Sequence, residues 1–159
     1  MFCGPDPRGR LVDLQDELRR AQAATPDLMA KVVAGACTRL TLPSCAAKAA
    51  KIDRLIDLEA WTEAALAVVE FELPQWRLRR LVCEEGVWLC SLSKQWSLPA
   101  WLDDSAEARH ESLPLAILSA LIEARQCAEP LPRPAARSVP QCRGGSAFPV
   151  EVMCCDNFA

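Results

Sequence analysis

The stretch Trp76-Arg-Leu-Arg-Arg-Leu-Val-Cys-Glu-Glu-Gly-Val-Trp-Leu-Cys-Ser-Leu92 decides the fold, because two runs of β-prone residues flank a short acidic loop. A three-residue loop, Glu84-Glu85-Gly86, suits a type I turn followed by a left-handed residue, since glycine takes positive φ without steric cost. The loop therefore predicts a β-hairpin with a fixed register. In that register the facing pairs are Cys83 and Val87, Val82 and Trp88, Arg80 and Cys90, and Leu78 and Leu92, with Trp76 near Lys94.

A two-stranded ribbon is marginally stable alone in water, so helices must cover at least one of its faces. In the predicted register one face is mainly apolar, whereas the other carries a mixture of polar and apolar side chains. The apolar face holds Trp76, Leu78, Val82, Trp88, Cys90 and Leu92.

The segments on either side of the hairpin have the spacing of helices. Thr25-Pro26 predicts a helix start, because threonine caps the helix and proline fits the first helical position. Ser44 is a second candidate cap, for the helix that follows it. A further helix covers 61–73 and ends at Pro74. In that helix one row of side chains consists of Trp61, Ala65, Val68 and Glu72. Ser112 caps a closing helix that runs to about residue 125 and that is apolar on most of its surface.

These elements predict a helix-rich α+β fold, with N-terminal helices, a central antiparallel β-hairpin and a closing C-terminal helix that packs against the hairpin, so that the hairpin is sandwiched between helices. A third strand near 96–102, which would make a three-stranded meander, stays open. A short turn containing Glu107 is expected to follow, with Asp103 or Asp104 as its cap; with Asp104 as the cap, Glu107 is the third residue, as in a capping box. We expect a disordered leader over 1–9, one domain over 10–126 and a disordered, proline-rich tail over 127–159.

The charge and cysteine content exclude several classes of protein. The formal net charge is −3, which argues against a general polyanion binder and against a basic membrane-binding patch. No signal-peptide pattern and no long apolar run occurs, so a soluble cytoplasmic protein is expected. The nine cysteines are odd in number and irregularly spaced, which predicts reduced thiols. Cys154-Cys155 could be reactive through exposure alone, and its redox state is open.

Candidate catalytic groups are few. Glu107-Ala-Arg-His110 has the spacing of a helical carboxylate and imidazole pair, as in di-iron bundles, but such sites need a second copy of the motif. His110 is the only histidine, so the chain cannot supply that copy. We therefore predict no metal, no cofactor and no catalytic residues, and a non-enzymatic protein.

The hairpin also supplies a candidate interaction surface. Arginines interleave with Trp76 and Leu78, as in strands that present guanidinium groups to phosphates, while tryptophan and arginine are enriched in protein binding sites. The alternative is that the tryptophans, Trp88 included, are ordinary core residues. The predicted surface consists of Trp76, Arg77, Arg79, Arg80, Trp96 and Trp101.

The core also resembles a known group of proteins. The residues that carry the resemblance are Ala60-Trp61-Thr62-Glu63-Ala64-Ala65-Leu66-Ala67, Leu73-Pro74-Gln75-Trp76, Glu85-Gly86-Val87-Trp88 and Leu113-Pro114-Leu115-Ala116-Ile117-Leu118. Over about residues 27–126 the chain is similar to small uncharacterised proteins of α-proteobacteria that resemble phage-associated ABA-sandwich domains. The resemblance implies a helix, a β-meander and a second helix in order, and a phage-related origin. It implies no catalytic residues.

Two hypotheses about function follow. The first is a protein that acts through contacts with an unknown protein partner or with itself. The alternative is a nucleic-acid-associated factor that uses Arg77, Arg79 and Arg80, although the acidic core makes nucleic acid the less favoured partner.

Overall fold

The computed structural model describes residues 7–95, 97–99, 103 and 105–128 of the chain. Within these residues, five α-helices and a three-stranded antiparallel sheet form an α+β fold in which a strand meander is followed by a helix that packs on it, as predicted. In chain order the elements are α1 (Pro7–Arg20), α2 (Pro26–Ala36), a 3-10 turn (Pro43–Cys45), α3 (Ala46–Asp57), α4 (Trp61–Glu72), β1 (Arg77–Glu84), β2 (Val87–Ser93), β3 (Ser105–His110) and α5 (Leu113–Ala128).

Helix α5 is the middle layer of the fold. It contacts β2 and β3 on one side and α1 and α4 on another, and its residues 115–122 are all buried. A helix that is apolar around most of its circumference must be buried on most sides. The hairpin was expected to be the sandwiched element, but the helix occupies that position.

The sheet has the order β1-β2-β3, and α5 covers mainly β2 and β3. Cys90 pairs with Ala108 and Leu92 pairs with Ala106, so these four side chains share the face against α5. The alanines of β3 are small, which lets α5 approach the sheet closely.

The predicted hairpin register is wrong next to the loop. The loop has two residues, Glu85 with φ 53° and Gly86 with φ 83°, and Glu84 pairs with Val87. Positive φ at both loop residues is the type I′ geometry, whose twist matches that of the strands.

The shorter loop moves the first strand by one position. Cys83 therefore faces Trp88, Leu81 faces Cys90, and Val82 lies on the face away from α5. An irregularity between Leu78 and Arg80, where Arg79 is the extra residue, restores the predicted Leu78–Leu92 pair.

The third strand lies at 105–110 rather than near 96–102. The prediction of a capped turn containing Glu107 is therefore wrong. Ala106 and Ala108 are buried while Glu107 and Arg109 are exposed, which is the two-residue alternation of a half-buried strand.

The helix starts are partly as predicted. Thr25 caps α2, since its Oγ1 accepts a hydrogen bond from the backbone N of Leu28 at 3.3 Å, and Pro26 is the first helical residue. Ser44 caps no helix: it lies in the 3-10 turn, and α3 begins without a side-chain cap.

The ends of the described chain differ slightly from the predicted boundaries. Helix α1 begins at Pro7, so residues 7–9 of the expected leader are helical, and α5 extends to Ala128. The rest of the predicted leader and tail, residues 1–6 and 129–159, lies outside the described residues. Within the described part of the chain, no helix combines the length and the apolar character that crossing a bilayer requires.

Candidate interaction surface

Strand β1 forms one edge of the sheet. Of the described elements only β2 pairs with it, and Arg77 to Arg80 are all exposed. Leu78 is 43% exposed although it points to the same face as the core residue Leu92, because α5 packs mainly on β2 and β3. The edge strand therefore presents both backbone and apolar surface.

The hairpin geometry determines which backbone groups point outward. The pair that closes a two-residue loop, Glu84 and Val87, is hydrogen bonded, and bonded and non-bonded pairs alternate along an antiparallel ladder. Glu84, Val82 and Arg80 thus direct their N–H and C=O groups toward β2, whereas Cys83 and Leu81 direct theirs away from the sheet. We call residues 80–84 the β1 edge.

Three exposed arginines lie on the sheet face away from α5. Arg77 pairs with Ser93, Arg80 pairs with Ser91, and Arg109 on β3 pairs with Leu89. We call this the arginine face. It is not uniformly basic, because two glutamates point to the same face: Glu84, which pairs with Val87, and Glu107, which pairs with Ser91.

Arg79, predicted to belong to the surface, bonds to other groups of the protein, although its side chain is still 27% exposed. Its Nη1 donates to Oδ2 of Asp103 at 2.6 Å, and its Nη2 donates to the carbonyl oxygen of Leu98 at 3.1 Å. The hydroxyl of Ser93 also donates to Oδ2 of Asp103, and the backbone N of Gln95 donates to Oδ1 at 3.3 Å. These bonds, that from Ser93 above all, hold the pKa of Asp103 below its usual value of 3.8.

Of the tryptophans of the predicted surface, Trp76 alone belongs to the part of the chain that the structure describes. Trp76 is 6% exposed and belongs to the core, so its assignment to the surface is wrong. The Nζ of Lys94 lies 5.0 Å from the centre of its ring, which confirms the predicted proximity of these two residues. Trp96 and Trp101 lie outside the described residues.

A buried carboxylate, Glu72, ties three segments together. Its Oε1 accepts from the backbone N of Thr38 at 2.9 Å and from the Thr38 hydroxyl at 3.1 Å. Its Oε2 accepts from the backbone N atoms of Arg39 at 2.9 Å and of Leu40 at 3.3 Å, while Nη1 of Arg125 lies 3.4 Å from Oε1. The signal in the sequence was the position of Glu72 in a helical row of core residues.

This carboxylate has a structural role. It accepts hydrogen bonds from three consecutive backbone N–H groups after α2, and that of the buried Leu40 would otherwise lack a partner. Its bonding capacity is used by the protein itself, so the cluster has no vacant position for a substrate.

Glu107 and His110, whose spacing is that of a helical carboxylate and imidazole pair, do not lie on a helix. Both residues lie on β3, where positions three apart point to opposite faces. The Nδ1 of His110 accepts a hydrogen bond from the backbone N of Ser112 at 2.9 Å at the start of α5. Among the described residues, no group of three or more histidine, cysteine, aspartate or glutamate side chains could hold a metal ion.

The described cysteines are free thiols in contrasting environments. Burial raises the pKa of Cys37 and of Cys90 to about 12, whereas Cys83 is exposed on the β1 edge. Cys154 and Cys155 lie outside the described residues.

Comparison of the chain with protein-family models, with curated proteins and with solved structures found no match. The resemblance to phage-associated ABA-sandwich domains therefore stays a prediction.

Proposed function

We propose that the protein is a non-enzymatic binding module that acts through protein–protein contacts, and that a partner strand adds to the β1 edge. The observation that carries the proposal is the exposure of this edge, whose outer side is not paired by any described element. We also propose that the protein acts in the cytoplasm, the location expected from its sequence.

The chemistry of the edge suits a protein partner. Strand addition uses the backbone groups of Leu81 and Cys83 for affinity and the side chains at alternate positions for specificity. Leu78, 43% exposed, and Val87, 36% exposed, supply apolar contacts beside this edge. The mixed charges of the arginine face favour a protein with both signs of charge over a polyanion.

A proline at position 83 tests the proposal. The N–H of Cys83 points away from β2, so Cys83→Pro should leave the hairpin ladder intact and block strand addition. Cys83→Val is the matched control, because it keeps the N–H and a strand-forming side chain.

The measurement is affinity capture with the tagged full chain, followed by binding measurements on each purified partner. A partner that binds the wild type and Cys83→Val but not Cys83→Pro supports the proposal; a second copy of the chain counts as such a partner. A wild-type chain that binds neither itself nor another protein, or a partner indifferent to the proline, would refute it.

Nucleic-acid binding is the second candidate, favoured by the shared face of Arg77, Arg80 and Arg109. Two observations weaken it: Asp103 neutralises Arg79, and Trp76 is buried and cannot stack on a base. The test is the affinity for single-stranded nucleic acid as a function of salt concentration. Binding that falls steeply with salt, and that Arg77→Gln and Arg80→Gln both weaken, would support it.

A further inference from the structure

We propose that the β1 edge binds a second copy of this chain, through a two-fold antiparallel pairing centred on Val82. The inference rests on the proposed function and names its partner. It follows from the outward backbone groups, the face that each side chain occupies, and the charges at positions 80 and 84.

The backbone groups restrict the register. Cys83 and Leu81 point their N–H and C=O groups outward, so a bonded pair between two copies must join residues from this set. If Leu81 of each copy pairs with Cys83 of the other, the outward N–H and C=O groups of all four residues form hydrogen bonds between the copies. This register places Val82 opposite Val82 of the second copy, on the two-fold axis.

The side chains agree with the same register. Residues that face each other across antiparallel strands share a face of the sheet, and the proposed pairs do so: Leu81 and Cys83 lie on the α5 side, and Arg80, Val82 and Glu84 lie on the opposite side. A shift that centres the pairing on Leu81 would instead set Cys83 against the irregularity at Arg79. The pairing centred on Val82 therefore uses the whole regular part of the edge.

Charge complementarity supports a second copy as the partner. Arg80 of each chain lies opposite Glu84 of the other, which makes two identical cross-strand ion pairs. Within one chain these two side chains approach only to 3.9 Å, and both are more than half exposed, so the intrachain pair contributes little. Opposite charges directly across antiparallel strands are favourable, and like charges are unfavourable.

The rest of β1 limits the contact to this short segment. The extra residue at Arg79 interrupts the strand, and its side chain is bonded to Asp103 on the face away from α5. Irregularities and charged side chains are devices that prevent open-ended edge pairing. A contact of five residues is small, so the dimer should be weak and dependent on protein concentration.

The first experiment measures the mass of the full chain in reducing buffer by light scattering and sedimentation, over about two orders of magnitude in concentration. The wild type and Cys83→Val should dimerise, and Cys83→Pro should remain a monomer with an unchanged circular dichroism spectrum.

The second experiment exchanges the charges. In the homodimer Arg80→Glu sets a new carboxylate against Glu84, and Glu84→Arg sets a new guanidinium against Arg80. Each variant alone should therefore dimerise about tenfold more weakly than the wild type. A mixture of the two variants restores both ion pairs, because one chain then has two acidic residues and the other two basic residues. The mixture should form a heterodimer with an affinity near that of the wild type.

The outcomes separate the inference from the proposed function. Loss of the dimer in Cys83→Pro, together with the recovery of affinity in the mixture, supports the inference. A monomeric wild type, a dimer unaffected by the proline, or a mixture no tighter than its components would overturn it. If a foreign protein binds the wild type and not Cys83→Pro, the proposed function stands although this inference fails.

Discussion

Replacing Glu72 by glutamine tests the role of the buried carboxylate. Glu72→Gln keeps the size of the side chain but converts one acceptor oxygen into an NH2 donor. Each oxygen of Glu72 accepts from two donors, so the amide leaves two donors without an acceptor. These are the backbone N and the hydroxyl of Thr38 if the NH2 group replaces Oε1, and the backbone N atoms of Arg39 and Leu40 if it replaces Oε2. The neutral amide also leaves the Arg125 guanidinium without its carboxylate partner.

The magnitude follows from these losses. A buried donor left without an acceptor costs about 1–3 kcal/mol, and breaking a buried ion pair from one side costs about 3–5 kcal/mol. These costs overlap, because both describe the same desolvated cluster, so we expect Glu72→Gln to lower the free energy of unfolding by about 4 kcal/mol. This is a large part of the roughly 5–15 kcal/mol that is typical of a domain.

The assay is equilibrium unfolding in urea at a fixed, low protein concentration, followed by tryptophan fluorescence, since Trp76 is buried in the native state. With a slope of about 2 kcal/mol per molar urea, the midpoint should fall by about 2 M. Glu70→Gln, at an exposed position on the same helix, is the matched control and should leave the midpoint unchanged. A midpoint for Glu72→Gln within about 0.25 M of the wild type would refute the reasoning.

Three further predictions concern the loop, the acid response and the thiols. Gly86→Ala should destabilise the protein by about 1 kcal/mol, because alanine is strained at positive φ; an unchanged melting temperature would contradict the loop geometry. Asp103 has a pKa lowered by folding, so its stabilising contribution is complete above its unfolded pKa near 3.8 and is lost as the pH falls through the folded pKa. The stability of Asp103→Asn, measured by urea unfolding below pH 4, should therefore decrease less with acidification than that of the wild type; an equal decrease would contradict this assignment. In dilute native protein at pH 8, alkylation followed by mass spectrometry should modify Cys83 and spare Cys37 and Cys90, whose pKa values are about 12, until the chain is unfolded.

The elements that local chemistry specifies could be predicted from the sequence. Thr25-Pro26 marks a helix start through interactions within one turn, and the apolar pattern of α5 indicates a helix buried on most sides. The order of helices, hairpin and closing helix follows from these local signals.

The features that depend on contacts between residues far apart in the sequence could not be predicted. Glutamate has no strong preference for positive φ, so the sequence favoured a longer loop than the one that Glu85 and Gly86 form. Strand β3 has two alanines, which have low strand propensity and are stabilised there by contact with α5. The helical row placed Glu72 beside core residues, but its partner Thr38 lies 34 residues away and cannot be read from spacing.

The exposure of the arginines on β1 was predicted, but not the contacts of Arg79 or the burial of Trp76. The exposed arginines were found because they alternate along one strand, although the structure assigns Arg79 to an internal ion pair and Trp76 to the core. The free edge depends on strand order, which no local pattern contains.

The central position of α5 affects the order in which the chain can fold. Its contacts with β3 join neighbours in sequence, whereas its contacts with α1 join residues about a hundred positions apart. Because closing a long loop costs more conformational entropy than closing a short one, the meander and α5 can associate early and α1 docks late. Substitutions in the α5 face toward the sheet should thus alter the folding rate, and those in the face toward α1 the unfolding rate.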